Sequence, residues 1–143
     1  MRTIKFRGKR LDNGMWAYGL YLQGGYNKGE NRANVKVRHI ISDDFYYDVD
    51  PDTIGQFTGL VDKNGKEIYE GDILQWGYGE YKVKHEVVFQ NGAFGYFYGD
   101  GISFVPYAGN TNFDFARFGK DDSFEVIGNI HDNPELLEEG GDK

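Results

Sequence analysis

The dipeptide Asn91-Gly92, set between two apolar segments, limits the fold of this chain more narrowly than any other sequence feature. A two-residue type I′ turn needs positive φ at both central residues, and Asn-Gly adopts that conformation most readily. The two-residue register pairs Phe89 with Phe94 and Val87 with Tyr96 on an apolar face. The sequence therefore predicts an antiparallel β-hairpin over Lys82–Tyr98.

The composition favours the same class of fold along the whole chain. Of 143 residues, 17% are aromatic and 21 are glycine, whereas only 3 are proline. Aromatic residues suit strands and glycine suits tight turns. A chain of this length is sufficient for one domain, or for two very small ones. We predict a mainly β fold built from antiparallel hairpins.

A second hairpin is predicted near the N-terminus, around Asn13-Gly14. A two-residue loop would set Lys9 opposite Tyr18 and mix charge into the apolar face. A three-residue loop with Gly14 in the left-handed region sets Phe6 opposite Leu20 instead. That register separates one apolar face from one basic face, and we prefer it for that reason.

The charge of the chain is divided unevenly. Residues 1–40 hold nine Lys and Arg against two acidic residues, whereas residues 41–143 hold seven against 21, and the formal net charge is −7. Such polarity can serve head-to-tail self-association or one anionic-ligand site, or can simply belong to solvated faces. With no cysteine and no long apolar run, we expect a cytoplasmic protein without a membrane segment.

Motifs of catalysis and metal binding are missing from the sequence. His39, His85 and His131 have no ligand spacing, and the acidic residues Asp48–Asp52 lack the glycine and distal glutamate of a calcium loop. Walker, GxSxG and HExxH motifs are also absent. We predict no metal, no cofactor and no catalytic residue, and expect that the protein is not an enzyme.

Aromatic residues are concentrated between Trp76 and Phe118, where 13 occur. They either fill the core of a small barrel or form a surface on which bases or a partner chain stack. In the second case, the basic N-terminal residues would meet phosphate. The candidate ligand-binding residues are Arg7, Lys9, Arg10, Tyr96, Tyr98 and Tyr107.

Near the C-terminus, Asn133-Pro134-Glu135 is typical of a helix start, with a capping side chain, a proline and an acid in the first turn. The segments IGQFTGL at 54–60, YEGDI at 69–73 and NPELL at 133–137 together resemble the YopX family of phage and prophage proteins. This resemblance implies a mostly β single domain over 1–143 with an SH3-like barrel in its C-terminal half, to which the helix start at Asn133-Pro134-Glu135 adds a short C-terminal helix. A division into an N-terminal β subdomain, 1–52, and the SH3-like barrel, 53–138, is possible. The resemblance implies no catalytic set.

These observations suggest a non-catalytic, phage-encoded accessory binding protein that forms a homo-oligomer. It would engage a host protein or sequester a small nucleotide-like ligand, and counter-defence is one role that such binding could serve. The alternative is a small β-barrel that binds nucleic acid, although a net charge of −7 disfavours affinity for phosphate. A small carboxylate- or metal-dependent hydrolase is the third alternative.

Overall fold

The computed structural model describes residues 3–25, 36–42, 45–78, 80–98, 103–107 and 124–141. The chain divides into two compact units, Met1–Phe57 and Thr58–Lys143. Within the described residues the strands are antiparallel wherever they pair, and one short helix lies near the C-terminus. This confirms the predicted mainly β fold and the C-terminal helix. The strands are β1 Phe6–Lys9, β2 Trp16–Gly25, β3 Lys36–Ser42, β4 Phe45–Asp48, β5 Gly55–Val61, β6 Glu67–Tyr69, β7 Asp72–Tyr78, β8 Tyr81–Glu86, β9 Val88–Gln90, β10 Ala93–Tyr98, β11 Ser103–Pro106 and β12 Glu125–Asn129, and the helix is α1 Glu135–Gly141.

The strands of the first unit follow the order β4-β3-β2-β1-β5. The residues that follow β4 run back beside the residues that follow β1. Arg10 and Val49 form an antiparallel bridge there. Two backbone hydrogen bonds flank this bridge: Leu11 N–H donates to Asp48 O at 2.9 Å, and Asp50 N–H donates to Lys9 O at 2.8 Å. The sheet therefore curls until its β4 end meets its β1 end, which gives it an inner and an outer face.

The inner face of the first unit holds its core. Ala17, Ile40 and Val49 are buried there, and Phe6, Tyr21, Tyr47 and Ile54 pack against them. Gly8 lies directly against Val49: a Cβ at this glycine would stand 3.0 Å from the valine Cβ and Cγ2. The close approach of β1 to Val49 therefore favours a residue without a side chain at position 8, because Val49 would have to shift by a few tenths of an ångström to admit a Cβ there.

The observed register of β1 and β2 corrects the sequence prediction by one residue. Phe6 lies opposite Gly19, and Lys9 lies opposite Trp16, because the loop closed by the Arg10–Met15 backbone pair has four residues, 11–14, rather than three. Gly14 in this loop has a φ of 72°, which confirms its predicted left-handed conformation, and its N–H donates to Arg10 O. A shift of one residue exchanges the two faces of a strand. The predicted apolar residues of β2 therefore lie on the outer face.

The second unit contains two three-stranded sheets, ordered β12-β7-β8 and β11-β10-β9, and β6 pairs with the end of β5. The predicted hairpin is confirmed in its register, since Phe89 pairs with Phe94, and Asn91 and Gly92 both have positive φ. The predicted pair of Val87 with Tyr96 does not form, because the first strand is interrupted at Val87, whose N–H and C=O bond to Asp72 O and Gly71 N–H. The described residues of this unit form small sheets, and we see no closed barrel among them.

The core of the second unit lies between its sheets and is rich in aromatic rings. Trp76 and Phe94 are among the partly buried residues that pack against it. The helix α1 begins at Glu135, one residue after the predicted Pro134, and reaches β8, where Lys84 Nζ donates to Leu136 O at 3.4 Å. It is too short to span a membrane, and no other helix of the described residues could. The buried residues of this core are Ile68, Leu74, Val87, Tyr96, Tyr107, Phe124 and Val126.

Asp62 fixes the turn that precedes β6. Its carboxylate accepts hydrogen bonds from the backbone N–H groups of Asn64 and Lys66, both at 2.8 Å, and from Val126 N–H at 3.0 Å. The side chain is buried, and these donors compensate for the loss of water around it. One carboxylate thus ties a local turn to β12, which comes much later in the chain.

Gly95 offers a test of how closely β10 and β11 approach each other. A Cβ at this position would lie 2.2 Å from Val105 O and 2.8 Å from Pro106 Cα, both backbone atoms that cannot move aside cheaply. We expect Gly95→Ala to lower the free energy of unfolding by about 3 kcal/mol. The matched control is Gly92→Ala in the same hairpin, where φ is 81° and no atom lies within 4 Å. Only backbone strain of about 1 kcal/mol applies there. Chemical denaturation that gave equal losses for the two variants would contradict this account.

Candidate functional site

The six candidate ligand-binding residues belong to different units. Arg7, Lys9 and Arg10 lie in the first unit, in and after β1. Tyr96 and Tyr98 lie in β10 of the second unit, and Tyr107 follows β11. We therefore describe the two groups separately.

In the second unit, Tyr96 and Tyr107 belong to the core. Their exposed fractions are 5% and 3%. Tyr96 stacks on the ring of buried His85 with 4.1 Å between ring centroids, and Tyr107 Oη lies 2.9 Å from His85 Nε2. Tyr98 pairs with Ser103 through the backbone at the end of β10. The interpretation of these aromatics as core residues therefore holds for Tyr96 and Tyr107, whose rings are not available to stack on a base.

Burial keeps both members of the His85–Tyr107 pair neutral. It lowers the pKa of His85 to about 3. Burial also raises the pKa of Tyr107 far above its usual value, and the nearby Tyr96 and Asp72 add to this effect. Neither group exchanges a proton near neutral pH. His85 Nδ1 is buried without a hydrogen-bond partner among the described residues.

One further group in the second unit has a perturbed pKa. Burial raises the pKa of the half-buried Glu86 carboxyl, and repulsion from Glu70 raises it further. A hydrolase would need such a carboxyl beside a second acid in a cleft. Among the described residues, no group of three or more His, Asp or Glu side chains is placed to hold a metal ion.

In the first unit, the cations of β1 lie against an aromatic ring. Arg7 Cζ lies 4.5 Å from the ring centroid of Trp16, and Lys9 Nζ lies 5.8 Å from it. Arg7 itself is buried, with 4% of its surface exposed. These distances are typical of cation–π attraction. The side of the sheet that was predicted to be purely basic therefore combines cations with a large ring.

The same side of the sheet continues as an exposed apolar surface along β2. We call Tyr18, Leu20 and Leu22 the outer face; they are every second residue of the strand, and their exposed fractions are 44%, 60% and 48%. Across the neighbouring strands, Leu20 lies opposite Ile41, which lies opposite Tyr46. The outward side of an antiparallel sheet is commonly polar, so this run of apolar residues is unusual.

A cavity of about 400 Å³ lies where the ends of the curled sheet meet, and we call it the closure pocket. Arg10 is the one basic residue among the described residues of its lining. The guanidinium stacks on Tyr47, with 4.5 Å from Cζ to the ring centroid. It also forms a two-pronged ion pair with Asp12, with Nε–Oδ1 at 2.9 Å and Nη2–Oδ2 at 2.6 Å. The residues that line this pocket are Arg10, Leu11, Asp12, Tyr46, Tyr47 and Asp48.

The ion pair of the closure pocket holds both partners in their charged forms. Its hydrogen bond lowers the pKa of the Asp12 carboxyl and raises the pKa of Arg10. With Asp48, the lining then carries one positive and two negative charges, so the pocket has a net charge of −1. A free phosphate group would meet repulsion there, which differs from the role that the sequence suggested for Arg10.

Sequence reasoning selected Arg10 and missed both the outer face and Tyr46. The outer face was assigned to the interior because the register was shifted by one residue. Tyr46 and Tyr47 stand in an acidic segment with no motif, and only the return of β4 to β1 brings them beside Arg10. The alternation of residues along β2 shows that Tyr18, Leu20 and Leu22 share one face of the strand. Whether that face points inward or outward depends on the length of the β1–β2 loop, which the sequence leaves open.

Comparisons with known proteins agree with this architecture. Residues 5–138 match the family model described as YopX protein. The crystal structure of protein EF1440 from Enterococcus faecalis is similar with a TM-score of 0.53 and 27% sequence identity, covering 96% of this chain and 99% of that one. No curated protein matches the chain.

The neutral His85 predicts a specific loss of stability in acid. Its folded pKa of about 3 lies below the value near 6.5 in the unfolded chain, so the unfolded chain takes up a proton first as the pH falls. Stability that is present above pH 6.5 is then lost progressively towards pH 3. At pH 5 this one group should account for a loss of about 2 kcal/mol.

The measurement is the free energy of unfolding of the wild type and of His85→Gln at pH 7 and at pH 5. The variant should lose about 2 kcal/mol less than the wild type over this interval, because it has no imidazole to protonate. Tyr107→Phe is the control, since it removes the hydrogen bond but keeps the buried imidazole and hence the pH dependence. Parallel pH profiles for wild type and His85→Gln would refute the assignment.

Proposed function

The chain belongs to the YopX family, and we propose that it is a non-catalytic accessory binding protein that assembles with a second copy of itself through the outer face. The observation that carries this proposal is the exposure of Tyr18, Leu20 and Leu22 on one side of β2. Contiguous exposed apolar residues usually mark an interaction surface. The outer side of a curled sheet suits another protein better than a small molecule, because small molecules bind in concave sites.

The chain's own charge distribution makes a second copy the fitting occupant. Residues 1–57 hold nine Lys and Arg against seven Asp and Glu, whereas residues 58–143 hold seven against sixteen. In the second unit, Asp132, Glu135 and Glu138 are exposed, and no basic residue lies in the last turn of α1. We propose that the acidic second unit of one copy meets the outer face of the next, beside Lys9. Opposite charges of this kind steer association and fix its orientation.

The proposal of binding without catalysis is supported by the state of the perturbed groups. His85 and Tyr107 are both neutral and engaged with each other in the core. Direct binding to nucleic acid is less well supported, since Arg7 and Lys9 lie against Trp16 and the net charge is −7. Affinity for a polynucleotide depends largely on cations that are free to meet phosphates.

Sedimentation velocity of the purified protein tests the assembly. We expect the wild type to associate at tens of micromolar, and Leu20→Asp to raise the dissociation constant by about tenfold or more, because its carboxylate would replace an apolar contact and repel the acidic second unit of the next copy. The matched control is Leu11→Asp, which changes another exposed leucine, one in the β1–β2 loop with 67% exposure. This control should associate as the wild type does.

The charge argument has its own test. Raising the salt from 50 to 500 mM should weaken association, and the double variant Glu135→Gln, Glu138→Gln should weaken it at low salt and reduce its dependence on salt. A wild type that remains monomeric throughout, or equal effects of the Leu20 and Leu11 substitutions, would overturn assembly through the outer face.

A further inference from the structure

We propose that the closure pocket binds a planar heteroaromatic ring with hydrogen-bond acceptors on one edge and donors on another, as in a guanine-type base. Tyr18, Leu20 and Leu22, on which the proposed self-assembly depends, do not line this pocket, although its Tyr46 lies on the same side of the sheet as Leu20 and Ile41. It lies wholly within the first unit, and all its lining residues come from the β1–β2 loop and from β4 with their immediate neighbours.

The first argument is the size and the walls of the pocket. Its volume of about 400 Å³ falls in the range of small-molecule sites. Two tyrosines line it: Tyr46, a residue that is 70% exposed, and Tyr47, whose ring already carries the Arg10 guanidinium. An exposed aromatic ring at the side of a cavity is a stacking surface for a flat ligand.

The second argument is the fixed orientation of Arg10. A guanidinium has five N–H groups, and the fork to Asp12 engages two of them. Among the described residues no partner is seen for the others. Because stacking on Tyr47 and pairing with Asp12 both restrain the side chain, these donors are held in place before any ligand arrives. Prior restraint of this kind reduces the entropy lost on binding.

The third argument is charge, which selects a base rather than a phosphate. Asp12 and Asp48 outnumber Arg10, and carboxylates repel a phosphate while they accept hydrogen bonds from N–H groups. A guanine-type base presents a carbonyl and a ring nitrogen as acceptors, which arginine recognises well. It also has an amino group, which can donate to a carboxylate. The pocket thus offers Arg10 to the acceptor edge of the base and a carboxylate to its amino group.

The experiment is a titration of isotopically labelled protein with guanosine, with adenosine and guanosine 5′-monophosphate in parallel, monitored by NMR chemical shifts. We expect guanosine to shift the resonances of residues 10–12 and 46–48, with a dissociation constant of about 0.1–1 mM, in keeping with a ligand of this size. Adenosine lacks the carbonyl acceptor and should bind at least about fivefold more weakly. The monophosphate should bind more weakly than guanosine, because of the two carboxylates.

Three variants connect the shifts to the pocket. Tyr46→Ala removes the exposed ring and should weaken guanosine binding by about tenfold, as loss of base stacking does. Arg10→Lys keeps the charge but loses the fork, and should abolish the preference for guanosine over adenosine. Tyr18→Ala is the matched control, since it removes an exposed tyrosine of the outer face and should leave binding unchanged.

Three results would overturn the proposal. One is the absence of shifts at residues 10–12 and 46–48 at 10 mM guanosine. Another is equal affinity for all three compounds, which would indicate unspecific contact with exposed rings. The third is unchanged binding in Tyr46→Ala. The titration is repeated on Leu20→Asp, where guanosine should bind as in the wild type. Failure of self-assembly and failure of the pocket can therefore be told apart.

Discussion

The first unit depends on the backbone bridge between Arg10 and Val49. Without it, β1 to β4 would form an open sheet with two equivalent sides. The bridge makes the sheet curl, so that one side encloses Ala17, Ile40 and Val49 while the other is exposed. It also brings β4 beside the β1–β2 loop, which places Tyr46 and Tyr47 next to Arg10. The outer face and the closure pocket are thus two consequences of one pairing.

Local turn chemistry made much of the fold predictable from the sequence. Asn91-Gly92 specifies a turn with two left-handed residues, and its register follows from that geometry. The break at Val87 could not be predicted, because it arises when two backbone bonds to Gly71 and Asp72 take this residue away from the hairpin. A continuous apolar run in the sequence does not reveal such competition between sheets.

The N-terminal hairpin shows why the candidate site was harder to predict than the fold. Gly14 takes the left-handed conformation in the observed four-residue loop, as it was expected to do in a three-residue one. What distinguishes the registers is tertiary: Gly8 must accommodate Val49, and Trp16 gains contact with the cations of β1. The register was predicted by placing apolar and charged residues on separate faces. That criterion was wrong here, because cations that stack on aromatic rings favour a face that contains both kinds of residue. Arg10 could be identified from its charge, but Tyr46 could not, because it approaches Arg10 only through the closure of the sheet.

The two partners of β7 differ greatly in their distance along the chain, and this affects how the second unit folds. β8 follows β7 after a short turn, so that pairing closes quickly at low entropic cost. β12 comes far later, and until it arrives the other edge of β7, with Ile73 and Leu74, is open. An open strand edge beside apolar side chains is a template for pairing with other chains. The Asp62 carboxylate accepts from Val126 N–H and so helps to hold β12 on this edge. We therefore expect it to oppose aggregation, because the edge would otherwise be open to a neighbouring molecule.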